Sequence, residues 1–449
     1  MKSLFSLCLA LLLAAACTTP AEEAPAPAAA EPPAQQADTM DRIAEDYVKL
    51  QLLIGEKEEG YIDAYYGPPA WREAARVQGP AATLPALAAR VQALTQRIGA
   101  VEAFTSYAAG SLEARRSAFL QAQLTAAATR LRMLQGERLS FADEARGLFA
   151  VVPEIRPLAA YDPVVARIDR LVPGPGTLAE RVEAFQSRFT IPADRLDAVM
   201  RAATAECRRR TLEHIPLPPE ERFTLEFVTG KSWSGYNYYQ GNYVSLIQIN
   251  TDLPIRINRA VDLGCHEGYP GHHVYNVLLE RNLARGRNWV EYTVYPLYSP
   301  QSLIAEGSAN YGYDLAFPGA ERLAFETRVL YPLAGISPEG AARYLELQKA
   351  LNDLSGARFT VARDFLEGRI TRPEAIALSQ RYQLVSPSRA EQGLSFTEQY
   401  RTYVINYGLG REMVAAYIEA QGADQATRWD AMERILSEPT LPSDLAVRR

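Results

Sequence analysis

Three of the four histidines in this 449-residue chain lie within the eight residues from His266 to His273, which read HEGYPGHH. Neutral imidazole is the commonest metal ligand in proteins, and Glu267 directly follows the first of these histidines. His-Glu followed by a histidine about one helical turn later is typical of zinc hydrolases. The octet therefore predicts a metal centre, and it restricts the local fold to one that brings two of its imidazoles together.

The spacing of the histidines excludes a continuous helix through the octet. Histidines four residues apart share a helix face, but the fourth residue after His266 is Pro270. On an unbroken helix His272 would point about 120° away from His266, and His273 would lie about 10 Å further along the same face. Because proline breaks a helix and Gly271 tolerates unusual dihedral angles, we predict a kink. The kink would bring His272 to His266, with His273 as the alternative second ligand.

The sequence also contains candidates for the third zinc ligand, the general base and the oxyanion donor. A catalytic zinc ion needs a third protein ligand and an open position for water. Glu306, within the apolar segment LIAEG, is the candidate ligand, and an ordinary glutamate near a helix start is the alternative. Glu267 is the candidate general base. Tyr407 is the candidate donor to the developing oxyanion, since Gly408 and Gly410 would let a substrate approach it.

The rest of the chain predicts a mainly helical fold. Apolar residues from 40 to 56 recur at helical spacing, and most other segments are rich in strong helix formers. These predicted helices are 81–99, 101–135, 140–150, 177–190, 194–212, 257–285, 301–316 and most of 320–449. Period-two alternation in 222–228 and the Tyr-, Val- and Ile-rich segment 236–250 predict a small antiparallel sheet just before the octet. Its edge would either pair with an extended substrate or serve packing alone.

The N-terminus predicts export. Residues 1–16 contain an early lysine, a short apolar core and a small-residue end, which is typical of a signal peptide and too short for a span of about 20 residues. Cys17 is the predicted lipid anchor, with ordinary cleavage after Ala16 as the alternative. Residues 17–39 would form a disordered tether, and 40–449 a single domain. We expect a lipoprotein on the periplasmic face of a bacterial membrane, with no other membrane contact.

Charge and cysteine content narrow the possible partners. A net charge of -6 provides no basic surface for nucleic acid, and the sequence indicates no protein partner. Cys207 and Cys265 could form one bridge in an oxidising compartment, but buried free thiols are favoured because Cys265 adjoins His266. His214, the histidine outside the octet, is predicted to be a surface residue.

Four segments together resemble a known bacterial family. They are HEGYPGHH, EGSANY at 306–311, YGLG at 407–410 and EGYIDAYYGPP at 59–69. The chain resembles the proteins catalogued as domain of unknown function 885, whose marker is HExxPGHH and which are distantly similar to carboxypeptidase Taq type zinc peptidases. The resemblance implies a helical, gluzincin-type fold with a deep cleft, ligands at His266, His272 or His273, and Glu306, and a base at Glu267.

The chain departs from this family after Glu306. Ser308 replaces the usual tryptophan of EGWAxY, and Tyr313 stands where an acidic residue is common. The function we expect is a one-zinc hydrolase of short peptides. The alternatives are a metal-dependent hydrolase of other amides or esters and an inactive binding lipoprotein. Arg256, Arg259 and Arg401 are candidates to hold a substrate carboxylate, or else are structural arginines.

Overall fold

The structure, a computed structural model, describes residues 38–446. The predicted signal peptide, the lipidated Cys17 and nearly all of the predicted tether lie outside the described residues. Asp38 and Thr39, which we assigned to the tether, belong to the folded unit that starts at Asp38. Thr39 Oγ1 accepts a hydrogen bond from the Arg42 N–H and caps the first helix, while Asp38 forms an ion pair with Arg97.

Most helices in the first half of the chain lie close to the predicted segments, but the predicted break near residue 100 falls inside the helix Leu84–Thr105, and the helices Pro69–Gln78 and Asp162–Leu171 were not predicted. The first helix begins at its threonine cap, and the predicted stripe of Ile43, Tyr47, Leu50 and Ile54 is fully buried. The helices of this half are α1 (Met40–Gly55), α2 (Pro69–Gln78), α3 (Leu84–Thr105), α4 (Leu112–Leu134), α5 (Phe141–Phe149), α6 (Asp162–Leu171), α7 (Leu178–Ser187) and α8 (Leu196–Leu212).

The second half contains the octet and is also helical. The predicted helix 257–285 is divided, because a π-helical turn at Gly264–Gly268 and the octet separate two helices. The helices are α9 (Ile257–Leu263), α10 (His272–Leu279), α11 (Pro300–Ala316), α12 (Glu321–Phe325), α13 (Tyr331–Ala334), α14 (Ala341–Asn352), α15 (Ser355–Leu366), α16 (Arg372–Tyr382), α17 (Pro387–Tyr400), α18 (Ile405–Gln421) and α19 (Gln425–Ser437). Within residues 38–446, every helix falls short of the length and apolar character that crossing a bilayer requires.

Within residues 38–446, two small sheets complete the fold, and the predicted mainly helical fold class is confirmed. The strands are β1 (Ile62–Tyr65), β2 (Arg222–Val228), β3 (Gly235–Tyr239), β4 (Val244–Asn250) and β5 (Val294–Pro296). In the predicted sheet, of order β2-β4-β3, the β3–β4 pair is antiparallel and the β2–β4 pair is parallel. The second sheet, β1–β5, was not predicted. It is antiparallel and has an irregular register between Ile62 and Ala64.

Helix α11 lies at the centre of the core and packs directly on α18. A Cβ atom added to Gly307 would lie 2.6 Å from the carbonyl carbon of Gly410, so the two backbones touch. Gly408 lies against the ring of Phe359, where a Cβ would come within 2.7 Å. The prediction that these glycines beside Tyr407 clear a path for substrate is therefore wrong for Gly410, which serves helix packing.

The prediction of free thiols is wrong. Cys207 in α8 and Cys265 in the π-helical turn form a disulfide, and both residues are fully buried. The reason is the close packing of α8 on this turn, since a Cβ added to Gly264 would lie 3.1 Å from the backbone nitrogen of Thr204. The two cysteines are 58 residues apart in sequence, so only the tertiary packing reveals that they meet.

Candidate metal centre and cleft

The octet folds back on itself through Pro270 and Gly271. The Tyr269–Pro270 peptide bond is cis, and α10 begins at His272. The Gly271 N–H donates to the Cys265 carbonyl at 3.0 Å. A Cβ on Gly271 would lie 1.8 Å from the carbonyl oxygen of His266, so no residue with a side chain fits this approach. The predicted kink is present, and it places the His272 ring against that of His266.

Three potential ligand atoms converge at this point. The Nε2 atoms of His266 and His272 are 3.1 Å apart. Glu306 Oε2, from α11, lies 3.3 Å from His266 Nε2 and 3.8 Å from His272 Nε2. Glu306 is buried at 5% exposure, in contrast to the surface glutamate of our alternative interpretation. The structure therefore brings the three predicted ligands together.

The donor set fits a zinc ion. Ligand atoms about 2.0–2.1 Å from a tetrahedral zinc lie about 3.3 Å from one another, close to the separations seen here. Glu306 Oε2 is buried without a hydrogen-bond partner, which is unfavourable unless a ligand or ion satisfies it. Two imidazoles and one carboxylate are also the protein ligands of one class of catalytic zinc site.

The charges around the three side chains favour a cation. Burial alone would lower the pKa of His266, but the carboxylates of Glu267 and Glu306 raise it to about 9. Burial lowers the pKa of His272 to about 4, which favours its neutral, ligating form. Burial would raise the pKa of Glu306, yet its close contacts with His266 and His272 and the hydrogen bond from Tyr403 hold it below its usual value. The carboxylate of Glu306 is thus ionised beside the neutral imidazole of His272, and the raised pKa of His266 shows that the surrounding carboxylates favour a positive charge at this point.

His273 points away from this centre. Its Nε2 lies 2.9 Å from Glu221 Oε2, and its Nδ1 lies 2.8 Å from Ser245 Oγ. Glu221 also accepts hydrogen bonds from the Tyr269 hydroxyl at 2.5 Å and from the Arg208 guanidinium. We call these five side chains the Glu221 network. The alternative in which His273 is the second ligand is not compatible with this geometry.

Glu267 lies in the cleft beside the candidate ligands. Its Oε1 is 3.9 Å from His266 Nε2, and its backbone carbonyl accepts a hydrogen bond of 2.7 Å from Asn237 Nδ2 in β3. Its carboxylate rests against Gly235, where an added Cβ would lie 2.5 Å from Oε1. Burial raises the pKa of Glu267 to about 7, only partly opposed by His266. This value suits a general base at neutral pH.

Two tyrosines border Glu306 from the side of α18. Tyr403, just before α18, donates a hydrogen bond of 2.9 Å to Glu306 Oε1. Tyr407, in the first turn of α18, is half-buried and lines the cleft. Burial and the Glu306 charge raise the pKa of Tyr407 well above its usual value, so its hydroxyl remains a proton donor. Tyr403 was not among the predicted site residues, although it lies one helical turn before Tyr407.

The candidate metal centre opens into a cleft of about 1830 Å³, which exceeds the roughly 300–1,000 Å³ of pockets for small ligands. Arg358 of α15 lines this cleft with its guanidinium 5.4 Å from the ring centroid of Phe396 and 6.0 Å from that of Tyr407. Within residues 38–446, no carboxylate forms an ion pair with Arg358. Burial lowers its pKa.

The three arginines proposed from the sequence are already neutralised. Arg256 pairs with Glu183, Arg259 with Asp262, and Arg401 with Glu144. Arg358 was missed because nothing in its sequence context distinguishes it from other helical arginines. The exposed His214 stacks on Trp429 with 4.7 Å between ring centroids and lies outside the site, as expected.

The fold and these side chains define a mainly helical protein with a candidate centre of two histidines and one glutamate. No protein-family model and no curated protein matches the chain. It is similar in structure to a candidate lipoprotein from Colwellia psychrerythraea, with a TM-score of 0.49, 16% identity, and coverage of 81% of this chain and 68% of that one.

Two carboxypeptidase structures are also similar to the chain. For the M32 carboxypeptidase from Deinococcus radiodurans R1 the TM-score is 0.38 at 14% identity, with coverage of 90% of this chain and 93% of that one. For metallocarboxypeptidase 1 from Trypanosoma cruzi it is 0.36 at 13% identity, with 88% of each chain covered. Scores below 0.5 carry no weight for the activity of this chain, which depends on its own residues.

Proposed function

We propose that this protein is a zinc-dependent peptidase that hydrolyses short peptides. The observation that carries the proposal is the convergence of His266 Nε2, His272 Nε2 and the unpartnered Glu306 Oε2 around one point, with Glu267 in the same cleft. Three ligating side chains with a carboxylate base beside them are the composition that hydrolytic zinc sites require.

His266, His272 and Glu306 would hold the ion, and Tyr403 would fix the orientation of Glu306 through its hydrogen bond. Zinc bound there supplies a Lewis acid that lowers the pKa of water and stabilises negative charge on oxygen. Glu267 accepts the proton of the water that attacks the peptide carbonyl carbon, and then transfers it to the amine nitrogen as the C–N bond breaks. Tyr407 donates a hydrogen bond to the carbonyl oxygen as that oxygen gains charge.

The unpaired Arg358 supports a substrate with a free carboxylate. A guanidinium fork binds a carboxylate through two parallel hydrogen bonds, and Arg358 lies next to Tyr407 with no acidic partner of its own among residues 38–446. Every unmodified peptide has one such carboxylate at its C-terminus. The proposed cleavage is therefore near the carboxyl end of the peptide.

We also propose a family for this protein and a location in the cell. The octet, with His272 returned to His266, supports membership in the family catalogued as domain of unknown function 885. The sequence of residues 1–39 supports export and anchoring through a lipidated Cys17 on the periplasmic side of a bacterial membrane. Short peptides would be the partners, with no nucleic acid involved.

Metal analysis and one substitution test the activity. Protein purified without added metal should contain close to one zinc per chain. Glu267→Gln should retain this zinc and its unfolding temperature but lose peptide hydrolysis by at least about 100-fold, the lower range for a general base. Hydrolysis of esters or non-peptide amides alone would identify the other hydrolase class. Absence of zinc and of all turnover would refute the proposal and leave a binding protein.

A second pair of measurements tests the role of Arg358. Arg358→Gln should lower kcat/KM for peptides with a free C-terminus by about 10–100-fold, the value of a charge-assisted interaction of 1.5–3 kcal/mol. Peptides with an amidated C-terminus should be poor substrates of both proteins, with little difference between them. An equal loss on free and amidated peptides would contradict the role of Arg358 as a carboxylate anchor.

A further inference from the structure

An acidic side chain without an ion-pair partner among residues 38–446 borders the cleft on the β1–β5 sheet. Ile62 of β1 pairs with Pro296 of β5, and Ala64 with Tyr295, so that Asp63 is an extra residue between two paired positions. Such a β-bulge turns a side chain out of the regular alternation and is frequent next to active sites. Asp63 lines the same cleft as the metal centre. The bulge explains how the carboxylate of Asp63, in the short strand β1, comes to face the cleft.

A group of aromatic rings adjoins this carboxylate through Tyr236. Tyr236 of β3 donates a hydrogen bond to Asp63 Oδ1. The ring of Tyr238 lies 4.2 Å from that of Tyr236, centroid to centroid, and Trp233 lies 5.5 Å from Tyr236. After burial, the charge of Asp63 is a cause of the raised pKa of Tyr238 and of Tyr400. A carboxylate beside several aromatic faces is the composition that binds ammonium groups, through ion pairing and cation–π attraction.

Asp63 lacks the cationic partner that several other acidic residues of the cleft have. Glu58 pairs with Arg130, Asp262 with Arg259, and Asp314 with Arg411. Within the described part of the chain, no lysine, arginine or histidine pairs with Asp63, and Lys231 lies instead over the ring of Trp233 at 5.9 Å.

The electrostatics of Asp63 agree with this lack of a cation. Burial raises its pKa to about 7, the hydrogen bond from Tyr236 opposes the rise, and the charge of Glu306 adds to it. A partly buried carboxylate without a counter-ion is unfavourable. A positive group supplied by a ligand would relieve this cost.

We infer that Asp63, with Trp233, Tyr236 and Tyr238, forms a subsite for a positively charged group of the substrate. The inference rests on the proposed peptidase function and specifies its substrate further. The group is a primary ammonium or a guanidinium, from the N-terminus of a short peptide or from a lysine or arginine side chain. Arg358, whose neighbours are Phe396 and Tyr407, would bind the negative end of the same substrate.

Isothermal titration calorimetry on Glu267→Gln protein, which binds peptide without hydrolysing it, tests this subsite. The probes are Ala-Ala-Ala, acetyl-Ala-Ala-Ala and acetyl-Lys-Ala-Ala, all with a free C-terminus. At least one of the two peptides with a positive charge, Ala-Ala-Ala and acetyl-Lys-Ala-Ala, should bind about 10-fold or more tightly than acetyl-Ala-Ala-Ala. This gain is expected for a partly desolvated ion pair with cation–π contacts. A gain with Ala-Ala-Ala identifies the N-terminal ammonium, and a gain with the lysine peptide identifies the side chain.

Two further variants in the same background separate recognition from structure. Asp63→Asn keeps the shape and an acceptor for Tyr236 but removes the charge, and it should abolish the preference for charged peptides. Glu59→Gln removes one negative charge from an exposed position of the same cleft and should retain that preference. Equal binding of all three probes, no binding of any, or a preference that survives Asp63→Asn would each overturn the inference, and Asp63 would then serve only to join β1 to β3.

Failure of the subsite and failure of the proposed function give different results. Zinc content and peptide hydrolysis without any preference for positive charge would refute the subsite and leave the peptidase intact. Absence of zinc and hydrolysis would refute the function, and since the subsite is defined on a peptide substrate, the inference would fall with it. Unfolding temperatures of Asp63→Asn and the parent protein, compared at one pH, establish that both are folded.

Discussion

His272 and His273 are neighbours in sequence but belong to two different environments. His272 faces His266 and Glu306, where one carboxylate oxygen is buried without a partner. His273 lies in the Glu221 network, where both of its ring nitrogens have partners. The two environments differ in hydrogen bonding. Both ring nitrogens of His273 have partners within the Glu221 network, whereas Glu306 Oε2 at the candidate centre has no hydrogen-bond partner.

This contrast separates a structural role from a chemical one. Glu221 accepts hydrogen bonds from Tyr269, His273 and Arg208, so its charge is fully used within the protein. Glu306 Oε1 accepts a hydrogen bond from Tyr403, while Oε2 lies near the two imidazole nitrogens and has no hydrogen-bond partner among residues 38–446. Leaving a buried acceptor unsatisfied costs about 1–3 kcal/mol. The folded chain therefore pre-organises the centre at a cost that an ion would offset.

The largest expected effect comes from substituting the two adjacent histidines one at a time. His272→Ala should lose nearly all zinc and lower kcat/KM by about 1,000-fold or more, since metal catalysis contributes several kcal/mol. His273→Gln should keep its zinc and most of its activity, but it should unfold at a lower temperature because a buried hydrogen-bonded residue is changed. Metal content by mass spectrometry and thermal unfolding of both variants provide the comparison. The reverse pattern would show that the two histidines have been assigned to the wrong environments.

A smaller effect is expected from Gly235, which leaves room for Glu267. In Gly235→Ala the new methyl group would displace the Glu267 carboxylate, because its carbon would lie only 2.5 Å from Oε1. Because a shift of about 1 Å in a catalytic group can reduce the rate about 100-fold, kcat should fall by that order while zinc content stays unchanged. Gly99→Ala in α3, where an added Cβ meets nothing within 4 Å, is the matched control. Equal activities of both variants would argue against a catalytic role for Glu267.

The sequence predicted that His266, His272 and Glu306 would meet, and the octet contributes the strongest constraint. Pro270 excludes the ordinary helical spacing, and Gly271 permits the close return of the chain, so His266 and His272 could be paired before the fold was known. Glu306 was identified by its charge within an apolar helix. The strand Arg222–Val228 was predicted with its observed bounds, since its period-two alternation is a local signal.

What could not be predicted depends on contacts between distant segments. Arg358 is distinguished only by the absence of an acidic partner within residues 38–446, and Asp63 only by a bulge in a sheet whose strands are more than 200 residues apart. The Cys207–Cys265 bridge depends on how α8 packs against the π-helical turn. The sequence of each of these segments alone does not indicate which distant segment it contacts.

The smallest effect concerns the pH dependence of the Glu221 network. Burial alone would raise the pKa of Glu221, but hydrogen bonds from His273, Tyr269 and Arg208 lower it from 4.5 to about 2. A carboxylate whose pKa is lower in the folded state stabilises the protein fully above its unfolded pKa and loses that contribution as the pH falls. The stabilisation from Glu221 should therefore be complete above about pH 4.5 and decline between pH 4.5 and 2.

Glu221→Gln isolates this contribution from all other acidic groups. At pH 7 the variant should be less stable than the parent protein by about 1.5 kcal/mol, the lower value for a hydrogen bond to a charged group. The difference between their free energies of unfolding, measured in urea at pH 7, 5 and 3, should shrink only in the most acidic sample. The zinc content should be the same for both proteins at pH 7. A difference that is constant with pH would mean that Glu221 acts through shape alone, and loss of zinc would mean that the network and the metal centre are not separable.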